Sequence, residues 1–180
     1  VAMRAVNWIN AAMLFRQRIE DDHDDKFFEE LAEALWLAGR HVKRNLEWNG
    51  PRSAGAGNHL LADLAGLLGV GLFFRHTQLG MKWFKSAQAW LEREMFEQVN
   101  EDGSNFESST YYHRMVHEMF QWSDSVADQS GMPFSMGYKN HLKKMREFVT
   151  AYCSPSGKAA QIGDNDSGRL ISAGIDDVTD

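Results

Sequence analysis

Along most of the chain, apolar residues recur at three- and four-residue intervals, the spacing of one face of an α-helix. No convincing period-two run appears before the last twenty residues or so. Trp8, Ala11, Ala12 and Phe15 fall on one face of a first helix, with Arg4, Arg16 and Arg18 elsewhere on its surface. The run Asp21-Asp22-His23-Asp24-Asp25 precedes a second helix, expected over roughly Asp25 to Glu47. Carboxylates suit a helix amino end because they face the positive end of its dipole. Residues 49–57, rich in Gly, Pro and Ser, are a loop by composition. A third helix is predicted from about Asn58 to Arg75, with apolar residues most of the way round and Gly66, Gly69 and Gly71 inside it. Interior glycines are costly in an exposed helix, so this one is expected to be central, with neighbours approaching closely. A fourth helix follows over about Met81 to Val99, a fifth over Ser109 to about Asp128, and a sixth over about Gly137 to Tyr152. From Ser154 the Gly-, Ser- and Asp-rich tail is predicted as loop that leads toward a strand. Successive helices with short connections make this an all-α chain of antiparallel helical hairpins.

Composition narrows the function classes. The chain has 180 residues, 43% of them hydrophobic, which is enough for one core and argues against disorder. The longest near-apolar run, Leu60 to Phe74, holds Asp63 and three glycines and falls short of the ~20 residues that span a bilayer, so no membrane insertion is expected. One cysteine, Cys153, excludes an internal disulfide framework and a four-cysteine metal site. The net charge of −6 argues against a nucleic-acid partner, although a local pocket on an acidic protein can still take an acidic ligand. No basic-then-apolar leader opens the chain, so a targeting peptide is read as absent or removed.

Three segments carry candidate chemistry. Gly57-Asn58-His59 delivers two polar side chains to the start of a buried helix, where free N–H groups and the dipole favour a carboxylate. Asn58 is also a good N-cap by type. Asp102 to His113 contains Glu107, Ser108, Ser109, Tyr111, Tyr112 and His113, with either serine able to cap the fifth helix. His113 and His117 lie one turn apart, but no third ligand is apparent and the order is not that of a zinc protease, so no metal is assigned. Asp164-Asn165-Asp166-Ser167-Gly168-Arg169 superficially suggests a calcium loop. It lacks a ligand at the fifth position and a glutamate at the twelfth, and reads as a tight loop with Arg169 paired to an aspartate.

Taken in order, these motifs resemble the helical domain of the heparinase II/III-like polysaccharide lyases, a group that includes the alginate lyases. The matching positions are Arg4 to Trp8, Gly57-Asn58-His59 before Ala65 to Leu68, Trp83, Glu94, Gln98 and Asp102-Gly103. Glu107, Ser109, Tyr112-His113 and Gly163-Asp164-x-Asp166-x-Gly168-Arg169 complete the set. The resemblance implies part of an incomplete (α/α) toroid over residues 1–153. It also implies a loop or tail over 154–180 leading toward a C-terminal β-rich domain missing from this chain. The implied chemistry is β-elimination at a uronic acid, with an acidic polysaccharide or oligosaccharide as partner and no cofactor. By resemblance Asn58 binds the uronate carboxylate, His59 supports it or acts as base, Tyr112 moves protons and His113 supports Tyr112. Arg52, Glu107, Tyr111 and Arg114 are expected at the substrate, Arg75 is a further candidate, and Asp164, Asp166 and Arg169 shape a loop near the site. A periplasmic or secreted location is likewise what the resemblance favours.

Other classes stand beside this reading. A non-catalytic glycan-binding or polysaccharide-assembly protein would keep the fold without the reaction. A glycoside hydrolase on a helical toroid would need two carboxylates at a set separation, and Glu107 with Asp102 is the pair near the motifs. Trp48, Tyr111 and Trp122 can stack on sugars, although core packing is the favoured reading for each.

Overall fold

The computed structural model describes residues 1–16, 24–48 and 57–171. The described residues form six helices: α1 (Ala2–Arg16), α2 (Asp24–Arg44), α3 (Asn58–Phe73), α4 (Gln78–Gln98), α5 (Thr110–Gln129) and α6 (Met136–Tyr152). They contain no strand; of the tail expected to be loop leading toward a strand, 154–171 is without regular structure and 172–180 lies outside the described residues. Single bridges pair Val99 with Asn105 and Cys153 with Ala159. Of the acidic run, Asp21 to His23 lies outside the described residues, as does Arg52.

Helix α3 packs against α1, α2, α4 and α5. Leu60, Leu61, Leu64, Leu67 and Leu68 are fully or almost fully buried in it. Its glycines allow the close approach: a Cβ at Gly66 would lie 2.8 Å from the Ala2 Cα, and one at Gly71 would lie 2.5 Å from the Phe84 backbone nitrogen. Around this centre, burial of some thirty apolar side chains supplies the main driving force. Tyr138 satisfies its buried hydroxyl by donating to the Phe120 carbonyl at 2.9 Å, and its ring stacks on Phe134.

The buried face of α1 differs from the one expected. Ala2, Ala5, Val6, Ile9 and Ala12 turn inward, whereas Trp8 and Phe15 are exposed. The small residues win because Gly66 on α3 admits backbone-level contact with Ala2, which a face of large rings would prevent. Helix α4 starts a turn earlier than predicted, because the Thr77 hydroxyl caps it by accepting from the Gly80 N–H at 3.0 Å.

Residues 154–171 form an irregular strap laid along the first half of α5. Thr110 donates its N–H to the Ile162 carbonyl at 2.9 Å and its hydroxyl to the Ala160 carbonyl at 2.8 Å. Ser109 donates to the Asp164 carbonyl at 2.6 Å. At the far end the Glu118 carboxylate accepts from the Leu170 and Ile171 N–H groups, while Asn7 of α1 donates to the Leu170 carbonyl at 2.6 Å. Leu170 is fully buried. The strap therefore ties α5 to α1 and places its acidic turn over the start of α5.

Candidate functional site

The amino end of α3 is capped from a distance. Asn58 is the first helical residue and Gly57 is the N-cap, so the expectation that Asn58 itself caps the helix is corrected. The Glu107 carboxylate takes that role: its Oε1 accepts from the Asn58 backbone N–H at 3.0 Å, and Oε1 and Oε2 accept from Asn58 Nδ2 at 3.3 and 3.1 Å. A carboxylate at a helix amino end meets both an orphan N–H and the helix dipole. Gly57 makes the approach possible, since a Cβ there would sit 2.0 Å from Glu107 Oε1. The side-chain amide of Asn58 is thereby held in one orientation, with Nδ2 donating to Glu107.

Glu107 is held in turn by a buried polar relay. Its N–H donates to Asn105 Oδ1 at 3.0 Å, while Asn105 Nδ2 donates to the Gln98 carbonyl at 3.4 Å. Gln98 donates to buried Glu94 at 3.0 Å, and Trp90 donates to the other Glu94 oxygen at 2.9 Å. The Asn105 N–H donates to His113 Nδ1 at 3.2 Å, and His113 Nε2 faces the Met145 carbonyl at 3.0 Å. That pair of partners fixes a neutral ring protonated at Nε2. Burial pushes the His113 pKa down, keeping the ring neutral. His113, 1% exposed, therefore holds the segment bearing Glu107 from inside the fold.

Tyr112 comes from the first turn of α5, which Ser109 caps by accepting from the Tyr111 and Tyr112 N–H groups at 3.2 Å each. Its hydroxyl donates to Asp166 Oδ2 on the strap at 2.6 Å. This bond, with lesser contributions from burial and from the Asp166, Asp164 and Glu107 charges, pushes the phenol pKa up to about 12. Glu107 thus binds Asn58 directly, while Tyr112, a little further along the same segment, binds Asp166 of the strap. His59, next to Asn58, lies on the surface, its Nδ1 2.9 Å from Glu47 Oε2. The pair is about two-thirds exposed and adds little to stability. Next to it the Glu47 N–H donates to Asp63 at 3.0 Å, and burial, outweighing that bond, raises the Asp63 pKa.

Tyr111 is 8% exposed, and its hydroxyl donates to the Gly168 carbonyl, anchoring the strap. Arg114 lies over the Tyr111 ring, 5.6 Å from its centroid, and opens onto a separate cavity of about 680 Å³ bounded by α5 and the strap. Arg75 follows the carboxyl end of α3, whose length puts it on the order of 25 Å from Asn58, so it does not join the group. Trp122 packs its ring against Gly69 in the interior, whereas Trp48 is 41% exposed beside Trp90. Asp102 is turned to Ser104, whose hydroxyl and N–H hold its pKa below the usual carboxylate range; a hydrolytic general acid requires the opposite shift. Among the described residues no cluster of three or more His, Cys, Asp or Glu side chains could hold a metal ion, and no helix is long and apolar enough to cross a membrane.

Sequence reasoning missed Asn105, which joins the relay to Glu107. Its only signal was a position between a turn glycine and the carboxylate.

The six-helix array and the polar group at the start of its central helix define part of an incomplete (α/α) toroid of antiparallel helical hairpins. The chain belongs to the family described as Heparinase II/III N-terminus, whose model matches residues 23–173. It is similar to a heparin-sulfate lyase of Bacteroides stercoris, with 32% identity over 101 residues, or 55% of this chain and 15% of that protein. A solved heparinase III gene product shares the fold with a TM-score of 0.68 and 24% identity, over 87% of this chain and 24% of its own. A crystal structure of heparinase III gives a TM-score of 0.66 at 18% identity, over 86% of this chain and 23% of its own. The chain spans about a quarter or less of the length of these relatives.

Proposed function

We propose that this chain is the helical part of a polysaccharide lyase that cleaves uronate-containing, acidic glycans by β-elimination. The observation that carries the reading is the fixing of Asn58 at the start of α3 by Glu107, which stands just before the first turn of α5 that bears Tyr112. Family membership and the likeness to a heparin-sulfate lyase support it.

The reaction makes definite demands. The C5 proton of a uronate is weakly acidic, and its removal puts charge on the adjoining carboxylate. Fixed donors at that carboxylate stabilise the developing enolate. The C5–H and C4–O4 bonds break, the C4–C5 double bond forms, and O4 takes up a proton. Asn58 is the group for the carboxylate through its amide nitrogen, which carries two hydrogens and so can donate to substrate as well as to Glu107. Tyr112 is protonated at neutral pH, as its raised value of about 12 requires, and is the group to deliver the proton to O4 once its hydroxyl leaves Asp166. It becomes a base only when substrate displaces the Asp166 bond. His59 keeps Nε2 for a substrate while Glu47 engages Nδ1, and is the nearby alternative base. His113, with both nitrogens engaged inside the fold, acts through Asn105 and Glu107 as a positioning residue.

The experiment is product analysis of the natural protein that carries this chain, over alginate, heparan sulfate, chondroitin and glucuronan. New chain ends carrying an ultraviolet-absorbing C4–C5 double bond are expected on at least one polymer. New reducing ends without that absorbance would replace elimination by hydrolysis.

A further inference from the structure

The carboxyl end of α2 stands beside the amino end of α3. Glu47, just past the last residue of α2, brings its carboxylate to 2.9 Å from His59 Nδ1 and donates its N–H to Asp63 at 3.0 Å. His59 is the chain neighbour of Asn58, so the last turn of α2 lies at the same end of the helical array as the group for the uronate carboxylate. Arg40, Lys43 and Arg44 close this helix, and all three are exposed. Their spacing of three and four residues puts them on one face, turned away from Leu35, Ala38 and Val42 in the core. The helix dipole favours cations in a last turn, but its influence fades within that turn, and Arg40 lies a turn further back.

These cations have no counter-charge. The protein carries 25 acidic residues against 19 basic ones, yet none of the three has an ion pair among the described residues. Lys26, Arg93, Lys139 and Lys143 each have one. The acids at this end are engaged, Glu47 with His59 and Asp63 with the Glu47 N–H. Trp48 adds an aromatic surface, 41% exposed, with its ring edge-on to Trp90. Guanidinium forks match carboxylate and sulfate oxygens, and an aromatic ring offers rigid apolar area to a sugar face. We propose that the carboxyl end of α2 is an outer subsite for an acidic glycan: Arg40, Lys43 and Arg44, with Trp48, hold the part of the chain that runs on beyond the uronate at Asn58. The subsite rests on the lyase reading for the identity of its ligand. Arg44 stands within about 11 Å of Glu47, the most that three residues span, and Arg40 is roughly 6 Å further along the helix. That row is longer than one sugar ring, so only an oligosaccharide engages it together with Asn58. Affinity must then grow with chain length and fall with salt as counterions are released.

Isothermal titration of the natural protein carrying this chain tests it, with a tetrasaccharide and a hexadecasaccharide of heparan sulfate as probes. Tyr112→Phe is present throughout to prevent turnover. The longer probe binds on the order of tenfold or more tighter than the shorter. Combining Arg40→Gln, Lys43→Gln and Arg44→Gln removes that advantage and flattens its salt dependence, while the shorter probe binds as before. Arg40→Lys with Arg44→Lys retains most of it, because the charge stays. If the combined variant loses helix content by circular dichroism, Arg40→Gln alone, which lies before the last turn, gives the readout as a several-fold loss for the longer probe. A protein that keeps the length advantage but forms no C4–C5 double bond on any polymer retains this subsite and loses the lyase reading. No preference for the longer probe overturns the proposal, as does wild-type long-chain affinity in a folded combined variant. Equal losses for both probes overturn it too, by placing the cations at the scissile sugar.

Discussion

Replacing Gly57 with alanine should uncouple Asn58 from Glu107 while leaving the backbone free to adopt its native conformation. Gly57 has φ −123° and ψ −150°, an extended conformation open to alanine, so strain in the main chain is not the source of any cost. The added Cβ would stand 2.0 Å from Glu107 Oε1 and 3.2 Å from its Cδ, against ordinary contacts beyond about 3.4 Å. Glu107 must swing away by more than about 1 Å, and Oε1 then loses the Asn58 N–H at 3.0 Å and Nδ2 at 3.3 Å. A hydrogen bond to a charged group contributes about 1.5–3 kcal/mol; with Asn58 and Glu107 both half-buried, the expected loss is about 1–2 kcal/mol. For a chain of this size that lowers the melting temperature by roughly 2–8 °C. The assay is a double-mutant cycle by urea unfolding with Gly57→Ala, Glu107→Ala and the pair. Once Glu107 is shortened, the Gly57→Ala cost should fall to within about 0.5 kcal/mol of zero. Equal costs in both backgrounds would refute the reasoning, because the clash would then lie elsewhere.

Asp166→Asn should bring the Tyr112 phenol down from about 12 toward the ordinary tyrosine value, read by ultraviolet titration of tyrosinate against a Tyr112→Phe control. A curve that overlays the wild type would contradict the assigned bond. Since the folded value is raised, the stabilisation from this bond is complete below about pH 10 and is lost as pH rises through about 12. His117 behaves in the opposite sense: burial first, with Arg146 adding to it, pulls it down to about 4. Stability held in its neutral form is complete above about pH 6.5 and declines toward pH 4, so His117→Gln should flatten the dependence of the urea midpoint over that interval. Gly71→Ala should destabilise by about 1–3 kcal/mol despite alanine's better helix propensity, because its Cβ would meet α4 backbone atoms at 2.5 and 2.9 Å. A stabilised variant in thermal unfolding would mean that α3 and α4 are further apart than described.

Helix periodicity made the six helices legible, and the glycines at 66, 69 and 71 announced that α3 is central before any packing was known. The same periodicity misplaced the inward face of α1. Hydrophobicity alone favours burying Trp8 and Phe15, whereas the fit between Ala2 and Gly66 belongs to a partner helix some sixty residues away. Among the candidate site residues, residue types pointed to Asn58 and Glu107, which the fold joins directly across segments far apart in sequence. What the sequence could not carry was the direction of each side chain. Tyr111 and Tyr112 are adjacent, yet one hydroxyl anchors the strap through Gly168 and the other meets Asp166. His113 follows them at the same helix start and turns wholly inside, because a rotation of about 100° per residue sends neighbours to different faces. The strap was read as a tail because its contacts with α5 run through single hydroxyl and carbonyl groups, which leave no periodic trace.

The central claim is that Asn58 and Tyr112 carry an elimination reaction. Its most direct measurement is the initial rate of ultraviolet absorbance gain when the natural protein carrying this chain acts on its best uronate polymer. Wild-type protein should raise the absorbance, while Asn58→Ala and Tyr112→Phe, each with unchanged helix content, should lose on the order of a hundredfold or more in that rate. Wild-type rates in both variants would contradict the account.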